Sequence, residues 1–323
     1  MESSITAGAP TTVAPRPFFP SFLSMQDKRL TEQRNPRSAR IDVLSSIEIV
    51  DLINSEDGTV AAAVAREREA IARAVDLTVH ALGQGGRLIY VGAGTSGRLG
   101  VLDAAEMPPT FGTDPALVQG IIAGGHGALI QAQEGVEDFP EEGAAAVKSL
   151  EVGPTDFVLG IATSGTTPFV HGALDWARTC NAKTGLLLCT YPSDEMLNSY
   201  DVVIAPLVGP EVITGSTRMK AGTATKLVLN SITTGAMVLL GKVYGNLMVE
   251  LRGSCAKLQD RGERIVMETL DVDRNQARRL IEEAGGEVKI AIVMGRLGVG
   301  REEAASLLAG SEGHVSRVVG ELR

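Results

Sequence analysis

The sequence predicts an α/β fold with a mainly parallel five-stranded sheet, plus a small C-terminal helical subdomain. Short apolar runs alternate with segments long enough for helices between residues 87 and 205. Two of these runs end in loops rich in glycine and hydroxyl residues. After about Arg252 the apolar runs give way to amphipathic helical patterns broken at glycines. Right-handed crossovers would place helices on both faces of the sheet, as in a three-layer sandwich.

The N-terminal third begins with a proline-rich stretch and continues with helical patterns. Residues 1–24 contain four prolines among many Ser, Thr and Ala, so we expect a flexible extension. They show neither the basic start nor the long apolar core of a signal peptide. We expect one helix over residues 41–53 and a long Ala-rich helix from Asp57 or Gly58 to about Leu82.

The central and C-terminal parts supply the strands and the remaining helices. Strands are expected over 87–91, 116–123, 156–161, 185–189 and 202–205. Helices are expected over 96–105, 128–136, 142–150 and 168–182, and a long one over 214–240 that packs on the sheet or a partner chain. The last helices are expected over 256–270, 273–284, 287–297 and 301–309. We therefore expect an extension (1–24), a sheet domain with N-terminal helices (25–252) and a helical subdomain (253–323).

Composition and charge exclude several classes of protein. The net charge of -9 and the pI near 5.1 give no basic footprint for nucleic acid. No run approaches the roughly 18 apolar residues of a membrane span. Three cysteines and four unclustered histidines predict neither a disulfide framework nor a metal site. We expect a cytoplasmic protein without metal or cofactor.

The first notable loop follows the strand at 87–91. Residues 92–97 read Gly-Ala-Gly-Thr-Ser-Gly, and a helix is expected directly after them. Glycines allow a ligand to approach the backbone, and a helix N-terminus offers free amides to an anion. The spacing also fits a dinucleotide fingerprint, but no carboxylate follows the next strand about 20 residues on. A tight turn without a ligand is the other alternative.

The second loop follows the strand at 156–161 and is rich in hydroxyl groups. Thr163, Ser164, Thr166 and Thr167 supply four hydroxyls, and Pro168 suits the first position of a helix. A helix cap needs only one such side chain. The excess indicates an oxyanion held by hydroxyls and amides, at the carboxyl ends of parallel strands where α/β sheets bind ligands.

Both loops resemble those of the sugar isomerase (SIS) family, which binds phosphosugars. The family loop Ser-x-Ser-Gly-x-Thr reads Ala-Thr-Ser-Gly-Thr-Thr at 162–167, with Ala162 in place of the first Ser. Longer strings resemble the N-acetylmuramic acid 6-phosphate etherase family over roughly residues 28–323: they lie at 35–38, 88–112, 134–138, 214–230 and 241–250. The resemblance implies an SIS-type fold, a homodimer, and a phosphosugar site that includes Gly94, Thr95, Ser96, Thr163, Ser164, Thr166 and Thr167.

The resemblance also implies two catalytic carboxylates, Glu106 and Glu137. From the residues alone, Glu106 lies at the end of a helix that Pro108 and Pro109 are expected to stop, and Asp103 competes with it. Glu137 belongs to an acidic run with Glu134 and Asp138, and the residues alone do not choose among the run.

The implied reaction is that of a carbon–oxygen lyase in cell-wall amino sugar recycling. It cleaves the D-lactyl ether of N-acetylmuramic acid 6-phosphate by elimination and hydration, giving N-acetylglucosamine 6-phosphate and D-lactate. Glu106 would protonate the departing lactate, and Glu137 would act as the base at C2 or on the incoming water.

Other functions and roles stay open at this stage. The sequence family also resembles the glucokinase regulatory protein, so a non-catalytic regulator that senses phosphosugars and binds a sugar kinase is one alternative. That protein carries two SIS units, whereas this chain has room for about one. An aldose–ketose isomerase is another. Arg218 and Lys220 could face the substrate or form intersubunit ion pairs. His126 could be a base or a surface residue.

Overall fold

The computed structural model describes residues 29–251 and 256–322, so the extension predicted over 1–24 lies outside the described residues. The strands are β1 (Leu88–Gly92), β2 (Val118–Ile122), β3 (Phe157–Ile161), β4 (Lys183–Leu187), β5 (Val202–Ile204), β6 (Val243–Tyr244) and β7 (Leu247–Met248). The helices before β6 are α1 (Ser46–Asp57), α2 (Val60–Arg66), α3 (Arg68–Gly83), α4 (Gly94–Phe111), α5 (Gly127–Ile130), α6 (Pro140–Ser149), α7 (Pro168–Thr179), α8 (Asp194–Ser199) and α9 (Lys220–Leu239). The last helices are α10 (Ala256–Leu270), α11 (Arg274–Glu283), α12 (Val288–Leu297), α13 (Arg301–Gly310) and α14 (Val315–Val319).

Strands β1 to β5 form one parallel sheet in the order β2-β1-β3-β4-β5, which confirms the predicted five-stranded sheet. All five expected strands are present. β4 begins at Lys183, two residues before its predicted start. The sheet is in register around β1, where Gly92 pairs with Ile122 on one side and with Ile161 on the other.

Helices cover both faces of the sheet, as predicted for a three-layer sandwich. Leu88 and Tyr90 of β1 point into a cluster with α3, α4 and α9, whereas Ile89 and Val91 point into a cluster with α6 and α7. All four side chains have no exposed area. Burying each large apolar side chain stabilises the fold by about 1.5–3 kcal/mol, and so the two clusters hold the sheet between its helical layers.

The N-terminal helices differ from the prediction in their boundaries. Helix α1 begins at Ser46 because Ser45 forms a capping box with Glu48, so the expected start at 41 is wrong. The long helix expected over 57–82 is two helices. α2 and α3 meet at Glu67, whose carboxylate accepts a hydrogen bond from the backbone N–H of Ala205, 3.0 Å away.

Helix α4 is longer than expected at both ends. It begins at Gly94 rather than at Ser96, and it continues through Pro108 and Pro109 to Phe111, so the expected stop at the prolines is wrong. The last turn is held by packing, because Met107 and Phe111 are both 5% exposed within the core. Gly112 then ends the helix in the left-handed conformation.

Two further helical predictions were wrong in extent. The helix expected over 128–136 is only α5 and, after an irregular stretch, a 3-10 turn at Val136–Asp138. Residues 131–134 are exposed and so have no apolar face to hold a helix. The helix expected from Thr214 begins at Lys220. Helix α9 packs on α2, α3 and α4, and its buried side chains share one apolar cluster with those of the sheet.

The C-terminal helices pack around an apolar cluster of their own. Helices α10 to α13 follow the four predicted segments, and α14 and the β6–β7 hairpin were not predicted. Their buried residues include Val266, Ala291 and Val293. Lys289 ties this cluster to the chain before it, since its Nζ donates to Gly241 O at 2.9 Å and to Glu250 Oε1 at 2.5 Å. None of the described helices is both long and apolar enough for a membrane crossing.

The close packing of α4 on β1 and β2 gives a test of the fold. A Cβ at Gly97 would lie 2.7 Å from Gly92 O and 2.7 Å from Ile122 Cγ1. We expect Gly97→Ala to lower the free energy of unfolding by about 1–3 kcal/mol, measured by urea denaturation. Gly83→Ala at the end of α3 is the control, because its Cβ would meet nothing within 4 Å. An unchanged stability of Gly97→Ala would contradict the close packing of α4.

Candidate functional site

The order in which strands are added to the sheet reverses between the parallel neighbours β1 and β3. From β1 the chain crosses to β2 on one side, and the next strand, β3, lies on the other side of β1. The helices that follow these two strands lie on opposite faces, because α4 packs in the cluster with α3 and α9, and α7 packs with α6. This topology puts the loops after β1 and β3 at the ligand position of doubly wound sheets, and we call the region between them the crevice.

The loop after β1 turns directly into a helix N-terminus. Gly94 is exposed, has a φ of +52°, and is the first residue of α4. Thr95 and Ser96 lie in the first turn, where backbone N–H groups have no partner within the helix. The loop thus carries free amides, the positive end of the helix dipole, the partly exposed Thr95 and the buried Ser96.

The loop after β3 brings the predicted hydroxyls together at the start of α7. Ser164 Oγ and Thr166 Oγ1 lie 3.2 Å apart, and Thr167 is the residue before the first turn of α7. Thr163 is buried, and its carbonyl accepts a hydrogen bond from Cys189 N at 2.8 Å. Gly165 turns the chain with a φ of +77°, a conformation that favours glycine.

A histidine that the sequence analysis missed holds the hydroxyl loop. His171 Nε2 lies 2.8 Å from the carbonyl oxygen of Gly165, and Nδ1 lies 2.9 Å from the Tyr200 hydroxyl. Burial raises the pKa of Tyr200 to about 12, so the phenol keeps its proton and can donate to Nδ1. Nε2–H can then donate to the Gly165 carbonyl. No local motif indicates this role, because Tyr200 lies 29 positions away in the sequence.

The segment that begins at Arg29 crosses the same edge of the sheet. Arg29 Nη1 donates to Thr166 Oγ1 at 3.3 Å, Leu30 N donates to Thr190 Oγ1 at 3.0 Å, and Gly215 N donates to Thr31 O at 3.2 Å. These contacts bring a guanidinium to the hydroxyl loop. The sequence analysis missed it because the contact spans 137 positions.

Glu137 lies in the 3-10 turn that packs against α7. This turn contacts α7. The start of α6, which follows the turn, packs closely on α7, since a Cβ at Gly172 would lie 2.0 Å from Pro140 O. Glu137 is half-buried, whereas Glu134 and Asp138 of the same acidic run are exposed. The structure thus places the Glu137 turn against α7, the helix that follows the hydroxyl loop.

Glu106 lies far from the hydroxyl loops of its own chain. It is exposed on α4, twelve residues after Gly94, which places its Cα about 18 Å along the helix axis from the N-terminus. The Glu137 turn therefore lies against the helix that follows the hydroxyl loop, whereas Glu106 lies about 18 Å along α4 from Gly94.

Asp103, the competing carboxylate, is a buried structural group. It is 1% exposed and accepts hydrogen bonds from Tyr90 OH at 3.1 Å and Thr233 Oγ1 at 3.0 Å. Its other oxygen lies 2.7 Å from Lys226 Nζ. Burial, together with the Asp103 charge, raises the pKa of Tyr90 well above its usual range. Asp103 therefore ties α4 to β1 and α9.

Lys220 is engaged within the chain. Its side chain is 3% exposed, and Nζ lies 2.6 Å from Glu56 Oε2, so its charge is paired within the chain. Asn35 Nδ2 donates to the same carboxylate oxygen at 2.9 Å. Arg218 is exposed, and the described part of the chain offers it no ion pair. His126 is exposed in a groove of about 760 Å³ beside β2.

Comparison with known proteins decides the family. A relative from Synechococcus elongatus, the N-acetylmuramic acid 6-phosphate etherase of that organism, is 52% identical over 92% of this chain and 96% of its own. The one from Salinibacter ruber is 54% identical over 91% of this chain and 94% of its own. The chain belongs to the N-acetylmuramic acid 6-phosphate etherase family.

A family profile and a solved structure match smaller parts of this etherase-family chain. The family profile described as the glucokinase regulatory protein N-terminal SIS domain matches residues 70–178. A phosphoheptose isomerase structure from Neisseria gonorrhoeae is 18% identical and covers 59% of this chain and 97% of its own, with a TM-score of 0.45. Within residues 29–251 and 256–322, no group of three or more His, Cys, Asp and Glu side chains is arranged to hold a metal ion.

The Glu56–Lys220 pair of this family member predicts a pH-dependent stability. Burial opposes the Glu56 charge, but hydrogen bonds from Lys220 and Asn35 and the Arg37 charge outweigh it and hold the pKa of Glu56 below 4.5. We expect Glu56→Gln to cost about 3 kcal/mol at neutral pH. A depressed pKa stabilises the fold above the unfolded value, so this cost should shrink as the pH falls below 4.5.

Urea unfolding from about pH 7 down to about pH 4 measures this difference. Asp51→Asn is the control, because Asp51 is an exposed carboxylate on the same helix, α1. A cost for Glu56→Gln that is independent of pH would contradict the ion pair.

Proposed function

We propose that the protein cleaves the D-lactyl ether of N-acetylmuramic acid 6-phosphate and releases N-acetylglucosamine 6-phosphate and D-lactate. The observation that carries this proposal is 52% identity over 92% of the chain to a relative named for that activity. The crevice between β1 and β3 supports it, because both of its loops are suited to a phosphate ester. The protein is then a carbon–oxygen lyase.

The phosphate of the substrate binds at the hydroxyl loop in this proposal. The hydroxyls of Ser164, Thr166 and Thr167 and the N-terminus of α7 donate hydrogen bonds to its oxygens, and Arg29 adds positive charge at Thr166. Buried Thr163 supports the loop from below. Gly94, Thr95 and Ser96, across the crevice, bind the sugar.

The chemistry needs an acid and a base rather than a redox group. An ether oxygen is a poor leaving group, but the C1 aldehyde of the open-chain sugar acidifies the proton at C2. A base removes that proton while an acid protonates the departing lactate oxygen, which leaves an α,β-unsaturated aldehyde. Water then adds at C3. A correctly placed acid or base contributes typically about a hundredfold to ten-thousandfold in rate.

Glu106 and Glu137 are the proposed acid and base. Glu106 protonates the lactate oxygen, and Glu137 takes the C2 proton or activates the incoming water. The position of Glu137 beside the start of α7 supports its role, and its half-burial distinguishes it from its exposed neighbour Glu134. No bound group besides these side chains is needed, because the reaction has no net redox change.

The alternatives from the sequence analysis fit less well. The regulatory-protein profile matches only residues 70–178, whereas the etherases match along nearly the whole chain. An aldose–ketose isomerase would use similar loops but would release no lactate.

The wider setting is also part of the proposal. We place the protein in the cytoplasm as a homodimer that acts in the recycling of cell-wall amino sugars. We divide the chain at about residue 252, which the separate apolar cluster of the last helices supports.

The direct test is an assay of the purified protein with N-acetylmuramic acid 6-phosphate. D-lactate and N-acetylglucosamine 6-phosphate should appear together in equal amounts. Saturable binding of the phosphosugar without lactate would contradict the etherase and favour the regulator. An isomerised sugar without lactate would favour the isomerase.

The two carboxylates can be tested singly in the same assay. Glu106→Gln and Glu137→Gln should each lower kcat by about a hundredfold or more, because each removes a proton-transfer group. Both variants should keep the fold and bind N-acetylglucosamine 6-phosphate. Glu134→Gln is the matched control and should turn over near the wild-type rate, since Glu134 is exposed in the same acidic run. Near-normal turnover of either test variant would remove that residue from the mechanism.

A further inference from the structure

A third loop adjoins the loop after β1. Residues 213–219 run into the first turn of α9, and we call them the Arg218 loop. A Cβ at Gly222, in that turn, would lie 3.5 Å from Thr217 O and 3.6 Å from Thr95 Cγ2. Thr217, the residue before Arg218, and Thr95 therefore lie against the same glycine. This contact places the Arg218 loop beside the crevice.

The Arg218 loop also contacts the N-terminal segment that crosses the hydroxyl loop. The backbone N–H of Gly215 donates to Thr31 O at 3.2 Å. Arg29, two residues before Thr31, donates from Nη1 to Thr166 Oγ1 at 3.3 Å. The Arg218 loop is thus connected to both loops of the crevice, to one through the start of α9 and to the other through the N-terminal segment.

The Arg218 loop is anchored at both ends. Glu211, which precedes it, is 1% exposed, and its carboxylate accepts hydrogen bonds from Lys220 N at 3.0 Å and Ala221 N at 2.9 Å. Lys220, which follows the loop directly, is also held through Nζ by Glu56. These contacts fix the position of the loop at the border of the crevice.

Arg218 brings an unpaired positive charge to this border. Its side chain is exposed, and within residues 29–251 and 256–322 its guanidinium has no ion pair. The ammonium groups of Lys220 and Lys226 on α9, by contrast, lie 2.6 Å and 2.7 Å from carboxylate oxygens of the same chain. A guanidinium without a partner can bind a carboxylate through two parallel hydrogen bonds.

The proposed substrate carries two anionic groups. Its phosphate is assigned to the hydroxyl loop, which leaves the carboxylate of the D-lactyl group without a cation. About eight bonds join the phosphorus to the carboxylate carbon, a span of at most about 10 Å. An arginine side chain reaches about 7 Å from its Cα. A substrate with its phosphate on the hydroxyl loop can therefore extend its carboxylate across the crevice to a guanidinium at the border.

We propose that Arg218 binds the lactyl carboxylate of the substrate and makes the site specific for phosphosugars that carry an acidic ether substituent. This inference rests on the proposed function, because it takes N-acetylmuramic acid 6-phosphate as the ligand. The sugar product, N-acetylglucosamine 6-phosphate, keeps the phosphate but lacks the carboxylate. Arg218 therefore strengthens the binding of the substrate and not that of the sugar product.

The binding of substrate and sugar product is compared by calorimetry in chains that carry Glu137→Gln, so that the substrate persists. Arg218→Ala should weaken the binding of N-acetylmuramic acid 6-phosphate by about tenfold to a hundredfold, because hydrogen bonds between charged groups are lost. It should leave the binding of N-acetylglucosamine 6-phosphate unchanged. Ser164→Ala should weaken both ligands alike, since both carry the phosphate. Arg279→Ala, at an exposed arginine on α11, is the matched control and should change neither.

Steady-state kinetics gives the same comparison in chains that keep Glu137. Arg218→Ala should raise KM for the substrate, whereas the inhibition constant of N-acetylglucosamine 6-phosphate should stay at the wild-type value. Arg218→Lys should restore part of the lost affinity, because it keeps the charge but not the two parallel hydrogen bonds.

Two results would overturn the inference. Equal weakening of both ligands would show that Arg218 acts on the phosphate or on the fold, and unchanged binding of both would show that it contacts neither. If Arg218→Ala does not fold, Arg218→Gln, which keeps most of the side chain, takes its place in both measurements. A wild-type protein that binds the substrate more tightly through Arg218 but releases no D-lactate would contradict the proposed function and support this inference.

Discussion

The pairing of β1 with both β2 and β3 is the constraint on which the rest of the structure depends. It places Gly92 in register with Ile122 and Ile161 and sends the two following helices to opposite faces of the sheet. Both loops then open into one crevice at the carboxyl edge. Neither loop would make a site alone. Together they offer two helix N-termini and a set of hydroxyls to one anionic ligand.

The contacts of α4 with β1, β2 and α9 fix the position of this helix on the sheet. Glycines let the helix approach β1 and β2 more closely than side chains would allow, and Asp103 ties it to Tyr90 and to α9. The same rigidity fixes Glu106 at the far end of the helix from the crevice. A packing constraint in the core thus decides which surface of the protein carries the proposed acid.

Much of the fold could be predicted from the sequence because it depends on local patterns. All five strands of the sheet and the helices α6, α7 and α10 to α13 follow apolar periodicity. The errors arose where tertiary packing prevails over a local signal. Pro108 and Pro109 lie within α4 because Met107 before them and Phe111 after them are buried in the core. The stretch at 131–134 is irregular because its residues are exposed and offer no apolar face.

The candidate site was only partly predictable from the sequence. The hydroxyls at 163–167 and the turn at 94–96 stand out in the sequence. Glu106 and Glu137 were assigned by resemblance, and their roles stay predictions. Arg29, His171 and Tyr200 could not be assigned to the loop from sequence, since each acts through a contact between segments far apart in the chain. Two roles were left open for Lys220, contact with the substrate and an intersubunit ion pair. Its buried ion pair with Glu56 was not foreseen, because the two residues are 164 positions apart.

A crystal structure with bound N-acetylglucosamine 6-phosphate would test the central claim most directly. The phosphate should lie against Ser164, Thr166 and Thr167 at the N-terminus of α7, and the sugar should extend toward Gly94 and Ser96. A phosphate bound anywhere other than the crevice between β1 and β3 would contradict the site described above.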